Sequence, residues 1–123
     1  KICKVLGYQE IDIKDRLYKM GYCPRKDTLY DCIQGSKNIF LPLEGPNDLN
    51  GRYLVEDGPY TLVCMVSIAK AVGVETPLME AIVNLAGALK GENYWHIGRT
   101  LKKVGLDGMS VEEIKNYLLN GKE

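Results

Sequence analysis

Histidine is almost missing from this chain: His96 is the only one in 123 residues. The four cysteines, Cys3, Cys23, Cys32 and Cys64, form no CxxC pair. One histidine and unpaired cysteine spacing argue against a zinc site, and free thiols in a reducing cytoplasm are expected, with Cys64 as core. No excess of charge exists either. Lys plus Arg and Asp plus Glu both total 16, so nothing invites nucleic acid or an anionic membrane surface. No apolar run is long enough to span a bilayer, and no signal peptide is visible. GxGxxG, P-loop and GxSxG motifs are all lacking. Without a glycine-rich phosphate turn, tight nucleotide binding by this chain alone is not expected.

What remains is an ordinary globular composition, sized for a single domain over residues 1–123. The first residue is Lys1, not Met, so the chain reads as processed or cut from something longer. Its most apolar stretch runs from Tyr60 to Val72, where Lys70 is the only charge. Leu62, Met65, Val66, Ala69 and Val72 share one helical stripe, and Val63, Cys64 and Ile68 fill most of the remainder. A helix apolar nearly all round is a buried one, so this helix is expected to be the most buried.

Arg52, Glu56 and Asp57 stand just ahead of it. Charges at the mouth of a buried element are a first place to look for function. Pro59 suits a first helical turn, and Gly58 before it is pushed away from α geometry. A helical break at Gly58-Pro59 is therefore expected. Asp57 would make a poor N-cap there, because Pro59 offers no N–H and only the Tyr60 N–H remains. Arg52 and Asp57 are five apart, on different faces of a straight helix, and would meet one ligand only at such a break.

Elsewhere the apolar spacing is helical. Ile2, Leu6, Ile13, Leu17 and Met20 fit one long helix that Gly7 can split. A short helix spans roughly Thr28 to Ile33. Residues 35–51 form a long connection with Pro42 and Pro46, read as functional or as an ordered flap. Thr76-Pro77 opens another helix, with Leu78, Ile82, Leu85 and Leu89 as its expected buried stripe. Tyr94, Ile97, Leu101 and Val104 suggest a further one; Gly98 inside it costs about 1 kcal/mol relative to Ala, which points to a backbone approaching there. Ser110 and Glu113 form a capping box for the last helix, which carries Val111, Ile114 and Leu118. No stretch alternates like a strand, and the fold expected is all-α with about six helices. His96 reads as a polar helix position, Trp95 and Tyr94 as core or interface, and Arg99 as a packing or carboxylate-pairing arginine.

Three motifs in order carry a resemblance: GPNDLNGRYLVEDGPY at 45–60, GVETP at 73–77 and GRTLKKVGLDGMSVEE at 98–113. Together they resemble the helical C-terminal domain of the opine dehydrogenases, the octopine and nopaline dehydrogenase group, from about Leu17 onward. The resemblance implies a compact helical bundle, the second domain of a 6-phosphogluconate-dehydrogenase-like two-domain enzyme. It implies an N-terminal Rossmann domain, not contained here, that binds NAD or NADP. The implied substrates are an amino acid and a 2-oxo acid, joined by reductive condensation, and a homodimer is possible. By resemblance, Arg52 takes the place of the arginine that holds the oxo-acid carboxylate. Asp57 takes that of the catalytic aspartate paired with a histidine. That histidine precedes this domain in the family, so His96 does not fill its role, and the chain alone is expected to be inactive. Gly58 stands where the family often has a β-branched residue, so the local turn is expected to differ. Two other readings stay open: a related NAD(P) dehydrogenase with another substrate, and a helical dimerisation or interaction module without chemistry. An exposed apolar surface, satisfied by self-association or by a missing half, is expected around Tyr22, Tyr53, Tyr60 and Trp95.

Overall fold

The computed structural model describes residues 1–121; the last two residues of the expected 1–123 domain, Lys122 and Glu123, lie outside the described residues. The described residues contain helices and turns and no strand, so the fold is all-α. The helices are α1 (Ile2–Val5), α2 (Ile13–Lys19), α3 (Leu29–Gln34), α4 (Arg52–Val55), α5 (Val63–Ala71), α6 (Pro77–Lys90), α7 (Tyr94–Ile97) and α8 (Val111–Asn120). A π-helical segment, Asp57–Leu62, joins α4 to α5.

The chain divides into two compact units, Gln9–Asn47 and the remainder (Lys1–Tyr8 with Asp48–Glu123). In the smaller unit, Asp12 caps α2 by accepting from Lys14 N at 2.7 Å, and Thr28 caps α3 by accepting from Asp31 N at 3.0 Å. Buried Ser36 ties the unit together: its hydroxyl donates to Tyr22 O and accepts from Phe40 N, while the Tyr22 and Phe40 rings meet edge to face. The long helix expected over residues 2–20 is split, as Gly7 allows. Gly7 adopts φ +73°, a conformation that ends α1, and the Asp12 cap starts α2 afresh.

In the larger unit, α5 supplies the centre. Val63, Val66 and Ala69 are fully buried, and burying each valine contributes about 1.5–3 kcal/mol. Val63 joins Val83, Ala86 and Tyr94 in one cluster, with Leu54, Leu62 and Trp95 against it. A second cluster holds Leu101, Leu106 and Ile114. One face of α5 stays open, with Met65 44% exposed, so its burial is less complete than its composition implies.

Two expected helices are corrected, one in its buried face and one in its length. The buried face of α6 is Val83, Ala86 and Gly87, whereas Leu78, Ile82, Leu85 and Leu89 are 74%, 44%, 62% and 49% exposed. The small residues win because α6 packs closely on the π segment and α7: a Cβ on Gly87 would lie 2.7 Å from Glu92 O. The helix expected from Tyr94 to Val104 stops at Ile97, because Gly98 turns extended and Arg99 N donates to Pro59 O at 2.9 Å.

The α8 terminus follows its sequence closely. Ser110 Oγ accepts from Glu113 N at 3.2 Å, and Ser110 N donates to Glu113 Oε2 at 2.7 Å. The Ser110 N–H, then the Ser110 hydroxyl, hold the Glu113 carboxyl below its usual value of 4.5. Folded Glu113 thus binds its proton less tightly than the unfolded chain does. Its stabilisation is complete above pH 4.5 and disappears as pH falls through the lower folded value. Glu113→Gln should remove that component of acid destabilisation, read as a shallower dependence of melting temperature on pH below 4.5. An unchanged slope would show that the cap is not an acid-sensitive element.

Candidate functional site

Proline at position 59 removes the N–H that the Val55 carbonyl would need four residues later, and its ring would collide with that carbonyl. The chain does not break in response. It widens: Glu56 distorts to φ −110°, and the turn from Asp57 to Leu62 is π-helical before α5 resumes with Val63 N on Gly58 O. The expected break at Gly58-Pro59 is therefore a bulge within a continuous helical path. Asp57 does not cap a helix there, since Tyr60 N donates to Glu56 O at 2.9 Å. Single π turns inside α-helices recur at functional sites.

The bulge is held from beneath. The π segment packs against α4, α5, α6 and α7. Tyr94, 2% exposed, lies so close to Gly58 that an added Cβ would sit 2.7 Å from its Cε2. That contact explains glycine at this position. Burial, then the nearby Glu92, push the Tyr94 phenol above its ordinary value, and among the described residues its buried hydroxyl has no hydrogen-bond partner. Gly98 makes the second contact, with an imagined Cβ 2.5 Å from both Pro59 O and Tyr94 O. The backbone approach suggested by a mid-pattern glycine is thus present.

Arg52 opens α4, the helix that leads into this feature, and Asp57 is the first residue of the π segment. Arg52 is exposed, and its ion pair among the described residues, Nε to Glu56 Oε2 at 3.8 Å, is long and solvent-screened. Such pairs are worth little, so the guanidinium remains available. Asp57 is half-buried and accepts a weak bond from Thr61 Oγ1 at 3.4 Å. Among the described residues no hydrogen bond or ion pair joins Arg52 to Asp57. The arrangement offers one cation at the start of α4 and one carboxylate at the first residue of the bulged turn, each with unused hydrogen-bonding capacity.

The other candidates have structural duties. His96 is exposed on α7, with its carbonyl accepting from Lys103 Nζ at 2.7 Å. Trp95 donates to Asn84 Oδ1 at 2.6 Å and lies under Lys70, 5.2 Å away. Arg99 sits over the Tyr60 ring at 5.7 Å instead of on a carboxylate. Tyr22, Tyr53 and Tyr60 are exposed as expected, whereas Trp95 is half-buried. Sequence reasoning did not find Tyr94 as the support of the bulge; the only signal was its spacing four residues ahead of Gly98. No group of three or more His, Cys, Asp or Glu side chains is placed to hold a metal among the described residues.

An all-helical domain with a bulged turn entered past two charged residues is the class of protein these features define. Residues 1–90 match the family of the NAD/NADP octopine/nopaline dehydrogenase, alpha-helical domain, and the chain belongs to that family. The matched region takes in Arg52, Asp57 and the motifs at 45–60 and 73–77. Opine dehydrogenase of Arthrobacter sp. (strain 1C) is 35% identical over 99 residues, 80% of this chain and 27% of that protein. Protein ocs of Agrobacterium tumefaciens (strain Ach5) is 33% identical over 98 residues, covering 80% and 26%. Vitopine synthase of Allorhizobium ampelinum is 36% identical over 88 residues, covering 67% and 24%. The chain spans about a quarter of the length of these curated relatives. The family is one of oxidoreductases that are in general NAD(P)-dependent. No helix of the described residues is long and apolar enough to cross a membrane.

Proposed function

We propose that this chain is the substrate-binding domain of an NAD(P)-dependent opine-type dehydrogenase. The reaction is reductive condensation. The amine of an amino acid and the carbonyl of a 2-oxo acid form an imine with loss of water, and the imine carbon then accepts hydride. The observation that carries the reading is the family match across residues 1–90, which includes both charges at the bulged turn.

Arg52 binds the oxo-acid carboxylate. A guanidinium fork matches a carboxylate with two parallel bonds, and the weak pair with Glu56 leaves that fork free. Asp57 orients an imidazole and stabilises its protonated form, as a carboxylate beside a histidine does. That imidazole belongs to another part of a longer protein, as does the dinucleotide site. This chain's own helix ends do not fit a dinucleotide: the glycine that opens an α-helix, Gly51, leads into a four-residue turn and no glycine-rich loop. The chain's work is to hold a carboxylate and to fix a charge.

The test uses the longer natural protein. Arg52→Ala should lower kcat/KM for the oxo acid roughly ten- to 150-fold, the effect of losing a charge-assisted bond of about 1.5–3 kcal/mol. Melting temperature should barely move, since Arg52 is exposed. Unchanged oxo-acid kinetics would remove Arg52 from the site and favour a module without chemistry.

A further inference from the structure

Two buried thiols in the Gln9–Asn47 unit take no part in the chemistry assigned to Arg52 and Asp57. Cys32 lies on α3 and is fully buried; Cys23 lies in the bend after α2 and is 7% exposed. Their side chains hydrogen-bond to each other. Cys32 Sγ donates to Lys26 O at 3.7 Å, and a thiol has one proton, so Cys23 is the donor to Cys32 Sγ. The two segments are also fastened together on both flanks of the pair. Ser36 Oγ donates to Tyr22 O, and a Cβ added to Gly35 would sit 2.5 Å from Pro24 Cγ. We propose that Cys23 and Cys32 are an oxidative modification site, a dithiol that a peroxide converts to a disulfide, stapling the bend after α2 to α3.

Buried cysteines fill a core whether or not they react. What sets this pair apart is contact between the sulfurs. Cys3 is exposed and Cys64 half-buried, and neither hydrogen-bonds to another thiol among the described residues. With the backbones already held together beside Cys23 and Cys32, the S–S bond is left to side-chain rotation.

Cys23, the thiol nearer solvent, meets the oxidant. Its sulfur attacks one oxygen of hydrogen peroxide. An S–O bond forms, the O–O bond breaks, and the leaving hydroxide takes the Cys23 proton as water. The Cys32 sulfur then attacks the sulfenic sulfur of Cys23. An S–S bond forms, the S–O bond breaks, and the departing hydroxide takes the Cys32 proton as a second water. The thiols lose two electrons and two protons, and the peroxide gains them. Burial, then the charge and hydrogen bond of Cys32, push the Cys23 thiol above its ordinary pKa. The thiolate is the nucleophile, so the pair responds to sustained oxidant and not to a brief pulse.

The test is tryptic mapping without reductant, after hydrogen peroxide treatment of the 123-residue chain and capping with iodoacetamide. Cleavage after Lys19, Arg25, Lys26 and Lys37 puts Cys23 on peptide 20–25 and Cys32 on peptide 27–37. These peptides should appear joined, about tenfold or more above any crosslink to Cys3 or Cys64, because thiols held in contact react as an intramolecular pair. Dithiothreitol should separate them. Treatment in urea should erase the preference, since the fold creates it. The oxidised chain should melt about 5 °C or more above the reduced one, because the closed loop constrains the unfolded state. Cys23→Ser should remove the crosslink and the shift together; should it disturb folding, oxidised and reduced wild-type chains still give the comparison. Peroxide that oxidises Cys3 while Cys23 and Cys32 stay reduced would overturn the proposal and leave the pair as core. A preference that persists in urea would overturn its origin in the fold, and a crosslink without a rise in melting temperature would overturn the staple.

Discussion

Gly98→Ala should destabilise the folded chain by about 3 kcal/mol or more, among the largest effects of a single methyl group. The added carbon would sit 2.5 Å from Pro59 O and from Tyr94 O, and 2.9 Å from Val63 Cγ1. Two of these neighbours are main-chain atoms and the third is fully buried, so none can swing aside. Relief requires the 98–99 turn to lift from the bulge. That movement breaks the bond from Arg99 N to Pro59 O and opens the cluster of Val63, Val83, Ala86 and Tyr94. Urea unfolding followed by circular dichroism measures the change. Gly45→Ala is the control, since nothing lies within 4 Å of an added Cβ there, and it should shift stability by no more than about 1 kcal/mol. Equal effects at the two positions would show that the 98–99 turn is not held against the bulge.

The same close contacts explain where sequence and structure part. Elements with their own chemical signature were legible: Ser110 as a cap and Pro77 as the first residue of α6. The deep valines of α5 followed from a run almost free of charge. Periodicity found the α6 leucine stripe but could not say what covers it. The packed face proved to be Val83, Ala86 and Gly87, small side chains that add little to any hydrophobic pattern yet let backbones approach closely. The bulge was half-legible. Pro59 forbids a regular helix, but whether a helix breaks or widens depends on Tyr94 beneath Gly58 and on the 98–99 turn against Pro59, contacts some 36 to 40 residues away in sequence. For the candidate site, position came from motif and local geometry from tertiary packing. Arg52 lies on the helix that enters a widened turn, not a broken one, and Asp57 is the first residue of that turn.

That geometry bears on Asp57→Asn in the longer natural protein. The substitution keeps the shape of the side chain and of its weak bond to Thr61, 3.4 Å away. What it removes is the negative charge. If Asp57 faces an imidazole, that ring loses both the carboxylate that raises its pKa and the acceptor that fixes its tautomer. The protonated form then persists only to a lower pH. On the proposed function, kcat near neutral pH should fall on the order of a hundredfold, within the range for a positioned acid or base. The alkaline limb of the pH–rate profile should move to lower pH, while the oxo-acid KM should stay nearly constant because Arg52 is untouched. This pattern differs in kind from that of Arg52→Ala, which acts on oxo-acid binding. Thr61→Val serves as the local control: it removes the weak hydroxyl bond but leaves the charge, and should change kcat little. Were Asp57 only a structural residue of the bulge, Asp57→Asn and Thr61→Val would both lower melting temperature and leave the pH profile of the folded enzyme in place.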